Sequence, residues 1–153
     1  MTSTFEIDGA TVRVPVPDGW DAAVVDGGLR VQRSVQPGLP IPTLELAVRA
    51  ATDARNVLED ELAELVLRLT DFRILHVEPR PQRAENWPGG APGTPFVLAG
   101  CRQGIYSLLT EVGLVGGDGA RVVLALVMVL FEEAATAQED VDAILAGVEV
   151  DWP

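Results

Sequence analysis

Apolar and polar residues alternate over Thr11–Val14, over Leu29–Val35 and over Thr43–Ala50. A period of two sends successive side chains to opposite faces, so each run predicts a half-exposed β-strand. In the second run Leu29, Val31, Arg33 and Val35 share a side, and in the third Leu44, Leu46 and Val48 do. Between the first two lies Pro15-Val16-Pro17-Asp18-Gly19-Trp20, a turn with Asp18-Gly19 as its pivot. Gln36–Pro42 contains Pro37, Pro40 and Pro42 and predicts a loop.

The period then changes. Leu58, Leu62, Leu65, Val66 and Leu69 follow an i, i+4, i+7, i+8, i+11 spacing, one face of an α-helix near 56–69. Asn56 and Glu59 have capping-box spacing, and Glu64 and Arg68 form an i, i+4 pair. Glu59-Asp60-Glu61 falls in the first turn, where the helix dipole favours carboxylates. Phe72–Val77 is strand-like, with Ile74, His76 and Glu78 alternating onto one face. Arg80–Pro95 holds Pro81, Pro88, Gly89, Pro92 and Pro95 and predicts a long loop.

Three strands follow, Phe96–Cys101, Tyr106–Leu114 and Arg121–Phe131. Short Gly-bearing turns at Arg102-Gln103-Gly104 and Gly116–Gly119 join them, which predicts antiparallel hairpins. The third strand is apolar on both faces and is expected at the centre of the sheet. A second helix near 137–146 rests on Val141, Ile144, Leu145 and Val148, with Thr136 and Glu139 as a capping box and Gly147 as the stop. The fold class is α+β: a mostly antiparallel sheet of about six to seven strands flanked by two main helices, in one domain over 1–153.

Composition narrows the partners more than the fold. The chain has 153 residues, 48% hydrophobic and 22% charged, and a net charge of −12. That charge repels phosphate backbones and anionic membrane surfaces, so neither nucleic acid nor membrane insertion is expected. All 11 basic residues are Arg. Without Lys there is neither a P-loop lysine nor a Schiff-base lysine. Arg-only usage with abundant Ala, Val and Gly points to a GC-rich bacterial genome. Cys101 is the single cysteine, so no intramolecular disulfide is predicted. No leader or lipobox pattern occurs near Met1, and the longest apolar run, Val122–Phe131, is shorter than the roughly 20 residues of a membrane-spanning helix. The expected location is the cytoplasm.

Several short segments occur in an order known elsewhere. They are Val14-Pro15-Val16-Pro17-Asp18-Gly19-Trp20, the helix from Val57 to Leu69 followed by Asp71-Phe72, the turn Arg102-Gln103-Gly104, and Val141-Asp142-Ala143-Ile144-Leu145. In these the chain resembles the PsbP/DcrB-like superfamily, and more narrowly the actinobacterial LpqN/LpqT type. The resemblance covers nearly the whole chain. It implies an antiparallel sheet flanked by helices. Members serve as photosystem extrinsic subunits, GTPase-binding import factors, envelope lipoproteins and secretion chaperones, with no shared catalytic residue.

Candidate chemistry is sparse. His76 is the only histidine and is read as a rim residue, the alternative being a general base or ligand. Cys101 stands beside Arg102, which could lower its pKa, but a small buried hydrophobe is the simpler reading. Gly113–Gly119 is read as a hairpin turn rather than a phosphate cradle. Glu132, Glu133, Asp140 and Asp142 lack calcium-loop spacing and are read as a solvated strand end and a helix start. No catalytic residue, cofactor or metal is assigned. Trp20 and Trp152 are expected to close the core, whereas Trp87 in the Pro/Gly-rich loop is either a core plug or a partner contact.

These readings favour a non-catalytic protein-interaction domain, an adaptor or chaperone-like protein with a basic partner protein, and no homo-oligomer is predicted. One alternative is an apolar-ligand or lipid carrier with a pocket between sheet and helices. The other is an enzyme built on His76 or Cys101.

Overall fold

A computed structural model describes residues 1–33, 42–50, 54–79 and 95–153. It opens with two hairpins, β1 (Thr2–Ile7) with β2 (Ala10–Pro15) and β3 (Trp20–Val25) with β4 (Gly28–Arg33). Each turns on an Asp-Gly pair, Asp8-Gly9 and Asp26-Gly27, with φ positive at all four residues. Two consecutive left-handed residues match the right-handed twist of the flanking strands, and Asp-Gly is the pair that adopts them at low cost. Then follow β5 (Thr43–Ala50), α1 (Ala54–Arg68), β6 (Thr70–Pro79), β7 (Pro95–Gln103), β8 (Tyr106–Gly117) and β9 (Arg121–Leu130). A 3-10 turn at Phe131–Glu133 leads into α2 (Ala134–Gly147), and β10 (Glu149–Asp151) ends the order.

Among the described residues the strands form two sheets, a small one in the order β1-β2-β10 and a large one in the order β3-β4-β5-β9-β8-β7-β6. Every pairing is antiparallel. The α+β class holds, with ten strands and two helices among the described residues. β1, β3 and β10 lie outside the strands expected from alternation. The doubly apolar β9 sits fourth of the seven strands, at the centre of the large sheet. Its odd-numbered side chains, Val123, Ala125, Val127 and Val129, face one core. Its even-numbered ones, including Val122, Leu124 and Leu126, face another.

The first core lies between the large sheet and a layer made of the small sheet and α2. Leu29, Val31, Leu44 and Leu46 meet Ile7, Val12, Val14, Ile144 and Leu145 there. The second lies under α1, where Leu58, Leu65 and Leu69 pack on β7, β8 and β9. Each such side chain stabilises by about 1.5–3 kcal/mol when fully buried.

The helix ends differ from their sequence readings. α1 begins at Ala54, ahead of Asn56, so Asn56 is not its cap. α2 begins at Ala134 because the 3-10 turn runs straight into it, and its N-cap Glu133 makes no side-chain cap bond. Thr136 Oγ1 instead donates to the Glu133 carbonyl at 2.9 Å, so no capping box forms with Glu139. Gly147 does end α2, but as a close-approach residue: a Cβ there would fall 2.5 Å from Pro15 Cγ. Val66 was expected in the buried stripe and is 55% exposed. The strip of α1 touching the sheet is narrow, and one residue beyond Leu65 the helix has already rotated about 100° away.

Candidate docking face

The two covering layers are offset, so each leaves part of the large sheet open. On the α1 side, no described element covers β3, β4 and β5. Arg30 and Glu45 are directly opposite in the β4–β5 register, and their ion pair closes at 3.0 Å. Arg49 donates to the Val48 carbonyl at 3.3 Å. Together with Asp8 and Asp26 these side chains line an open cleft of about 310 Å³. This region is polar.

On the α2 side, α2 and the small sheet leave the stretch from β8 to β6 open. Leu98, Gly100, Leu109 and Glu111 stand partly exposed on its floor. The space between α2 and this floor, lined by Leu98, Leu109, Val127, Val129, Gln138 and Val141, measures about 20 Å³. That holds roughly one water, whereas a lipid or drug-sized ligand needs about 300 Å³ or more.

Among the described residues β6 closes this side as an edge strand. Two register shifts interrupt its pairing with β7, one between Thr70 and Arg73 and one between Ile74 and His76. Asp71 occupies the first with φ 54°. The second breaks the alternation expected for Ile74, His76 and Glu78. Ile74 and Val77 stand opposite Ala99 and Val97, on the α1 side of the sheet. Leu75 lies near Gly100 on the other side. A bulge adds one residue and so turns apolar side chains onto both faces. Ile74, Leu75 and Val77 are each 52% exposed. Val66 and Leu67 on α1 are exposed as well.

The residues proposed from the sequence are dispersed. His76 is exposed opposite Leu98, on the α2 side. Cys101 is buried on the α1 side, its Sγ 3.6 Å from Thr110 Oγ1. The two share no site. Arg102 does not attend the thiol either; it is exposed and reaches Asp71 at 4.0 Å. Asp140, read as part of a helix start, accepts the Trp20 indole N–H at 2.9 Å and ties α2 to β3. Trp20 is buried, and half-buried Trp152 lies under the Arg121 guanidinium, 4.7 Å from ring centroid to Cζ.

The glycine-rich segment is a turn. Asp118 Oδ1 accepts the N–H groups of Ala120 and Arg121, at 2.9 and 2.7 Å. Those two backbone bonds hold its carboxyl below the usual range, assisted by Arg121. Among the described residues no cluster of three His, Cys, Asp or Glu could hold a metal, and no helix is long and apolar enough to cross a membrane. Trp87 lies outside the described residues, in the connection that leaves at Pro79 and returns at Pro95, two residues paired at the end of β6 and β7.

The arrangement of these layers is shared with known structures. LpqN of Mycobacterium tuberculosis, a protein involved in cell envelope biogenesis, matches with a TM-score of 0.63 at 16% identity, over 98% of this chain and 90% of that one. Cyanobacterial PsbP (CyanoP) from Synechocystis matches at 0.58 and 11% identity, over 98% and 92%. This chain has the PsbP-like fold. A Pseudomonas aeruginosa protein of unknown function, PA94, shares it at 0.61 and 9% identity, over 99% and 98%. No family model and no curated protein matches the sequence. Identities this low extend the likeness to the PsbP-like architecture and no further.

Proposed function

We propose that this PsbP-like chain is a non-catalytic protein-interaction domain, adaptor or chaperone-like, that docks its partner on the edge strand β6. The carrying observation is the half-exposure of Ile74, Leu75 and Val77 on an edge strand. Apolar side chains left half-exposed along an edge strand favour a partner that removes them from water. The 20 Å³ space under α2 speaks against the carrier alternative, and the separation of His76 from Cys101 speaks against an enzyme using them jointly. Trp87 is the proposed second anchor, since its connection begins and ends at this strand pair.

The test is capture of cross-linked partners from the native host by the wild-type chain and by a variant with Ile74, Leu75 and Val77 all changed to Ser. A protein enriched by the wild type should be lost with the variant while the thermal midpoint stays close to wild type. Equal capture by both would refute the docking face. Trp87→Ala should weaken the same capture with little change in midpoint; a large loss of stability would make Trp87 a core residue.

A further inference from the structure

The α1 side of the β6 edge is bordered by an acidic helix. α1 turns into β6 through the single residue Leu69 and packs against that strand. It carries Glu59, Asp60, Glu61 and Glu64, of which Glu59, Asp60 and Glu64 are exposed. None of the four makes an ion pair with a described partner, and the Glu64–Arg68 pair suggested by spacing is absent from the ion pairs formed. Some surface carboxylates elsewhere are matched, Glu45 with Arg30, Glu149 and Asp151 with Arg13, Asp118 with Arg121; what sets α1 apart is four acids within six positions of one helix. The strand that carries Ile74 and Val77 is therefore packed by a helix that concentrates four carboxylates, none of them ion-paired with a described residue.

We infer that this strip takes a segment of another protein in which apolar side chains are interspersed with Lys or Arg, seated on Ile74 and Val77 with its cations toward α1. The inference rests on the interaction-domain reading above and specifies its partner. Charge complementarity excludes the main rivals. A second copy brings another net charge of −12, and an anionic bilayer repels the same carboxylates. Regular strand addition is blunted by the two bulges, which break the line of outward backbone groups. Side-chain docking of an amphipathic segment needs no regular edge.

The probe is a fluorescently labelled synthetic Leu/Lys amphipathic peptide, followed by anisotropy with the whole chain at low and high salt. Binding should weaken about 10-fold when Glu59→Gln, Asp60→Asn, Glu61→Gln and Glu64→Gln are combined, with a flatter salt dependence, because fixed charges steer and hold the encounter. Ile74→Ser with Val77→Ser should weaken it as well; if that pair fails to fold, Val77→Ser alone gives the same comparison. A control that also removes four charges, Glu6→Gln, Asp8→Asn, Asp18→Asn and Asp26→Asn near the two early hairpins, should bind like wild type. The inference is overturned if the control weakens binding as much as the α1 variant, if the α1 variant binds like wild type, or if a Leu/Glu peptide binds equally well. Host-partner capture separates the two levels. Capture lost on changing β6 but unaffected by neutralising α1 leaves the docking face standing and removes this inference. Capture indifferent to β6 removes the docking face itself.

Discussion

The large sheet has two uncovered regions, and they are built differently. On β4 and β5 the open face carries Arg30 paired to Glu45 across the strands, with Arg49 beside them. At the other end, the edge strand β6 exposes Ile74, Leu75 and Val77. Both regions lie on one sheet and share its central strand β9 as boundary. The polar region is complete in water, because its side chains are solvated or paired with each other. The apolar region leaves surface that gains by being covered. Openness alone is therefore no sign of function in this fold; the chemistry left in the open region is.

The contrast is testable, first through the largest effect. Leu65→Ala under α1 should cost about 2–5 kcal/mol in denaturant unfolding, since Leu65 is fully buried. Gly113→Val should cost about 1–3 kcal/mol, because even the Cβ would fall 2.6 Å from the Phe96 ring, where the covered part of the α2 side gives way to the open floor. Ile74→Ala should cost about 1 kcal/mol or less, as half its surface already meets water. A loss at Ile74 equal to that at Leu65 would mean that β6 is core and would dissolve the comparison. On the polar side, a double-mutant cycle on Arg30 and Glu45 should return a coupling of about 0.2–1 kcal/mol that shrinks with salt, since both are about two-fifths exposed.

The smallest effect concerns the β8–β9 turn. Asp118 binds the backbone of Ala120 and Arg121 better as a carboxylate, so its folded pKa lies below its unfolded one. Its contribution is then present above the ordinary carboxylate pKa and fades as pH falls through the depressed folded value. Asp118→Asn should remove that part of the acid dependence. An Asp118 carboxyl titrating at or above the ordinary value by NMR would contradict the turn geometry.

Much of this fold was legible along the chain, and the omissions have particular causes. The β8–β9 turn and the central place of β9 followed from glycine spacing and from an apolar run with no polar face. β1 and β3 were missed although Asp8-Gly9 and Asp26-Gly27 mark their hairpins, because Ser3, Thr4, Glu6 and Asp21 dilute the apolar alternation. β10 is three residues long and too short for any period to show. The helix starts were misplaced because local capping signals at Asn56 and Thr136 lost to the chain entering each helix earlier. His76 was assigned to the face of Ile74 because a bulge is invisible to a count of two.

By itself the sequence determined the local quantities: the antiparallel α+β class, the two amphipathic helices, the acidity of the surface, and the absence of lysine chemistry. Those depend on residue type and on spacing within a dozen positions, which periodicity reads directly. Tertiary structure alone decided which strand became an edge. Ile74, Leu75 and Val77 look like any buried run until β7 pairs on one side and the strand order ends on the other. It likewise decided that α1 and the α2 layer would be offset, leaving a polar region at one end and an apolar region at the other. Strand order is fixed by contacts between residues far apart in sequence, as when β5 pairs with β9 across more than seventy positions. No local pattern carries that information, because the free energy that selects it comes from burying two cores at once.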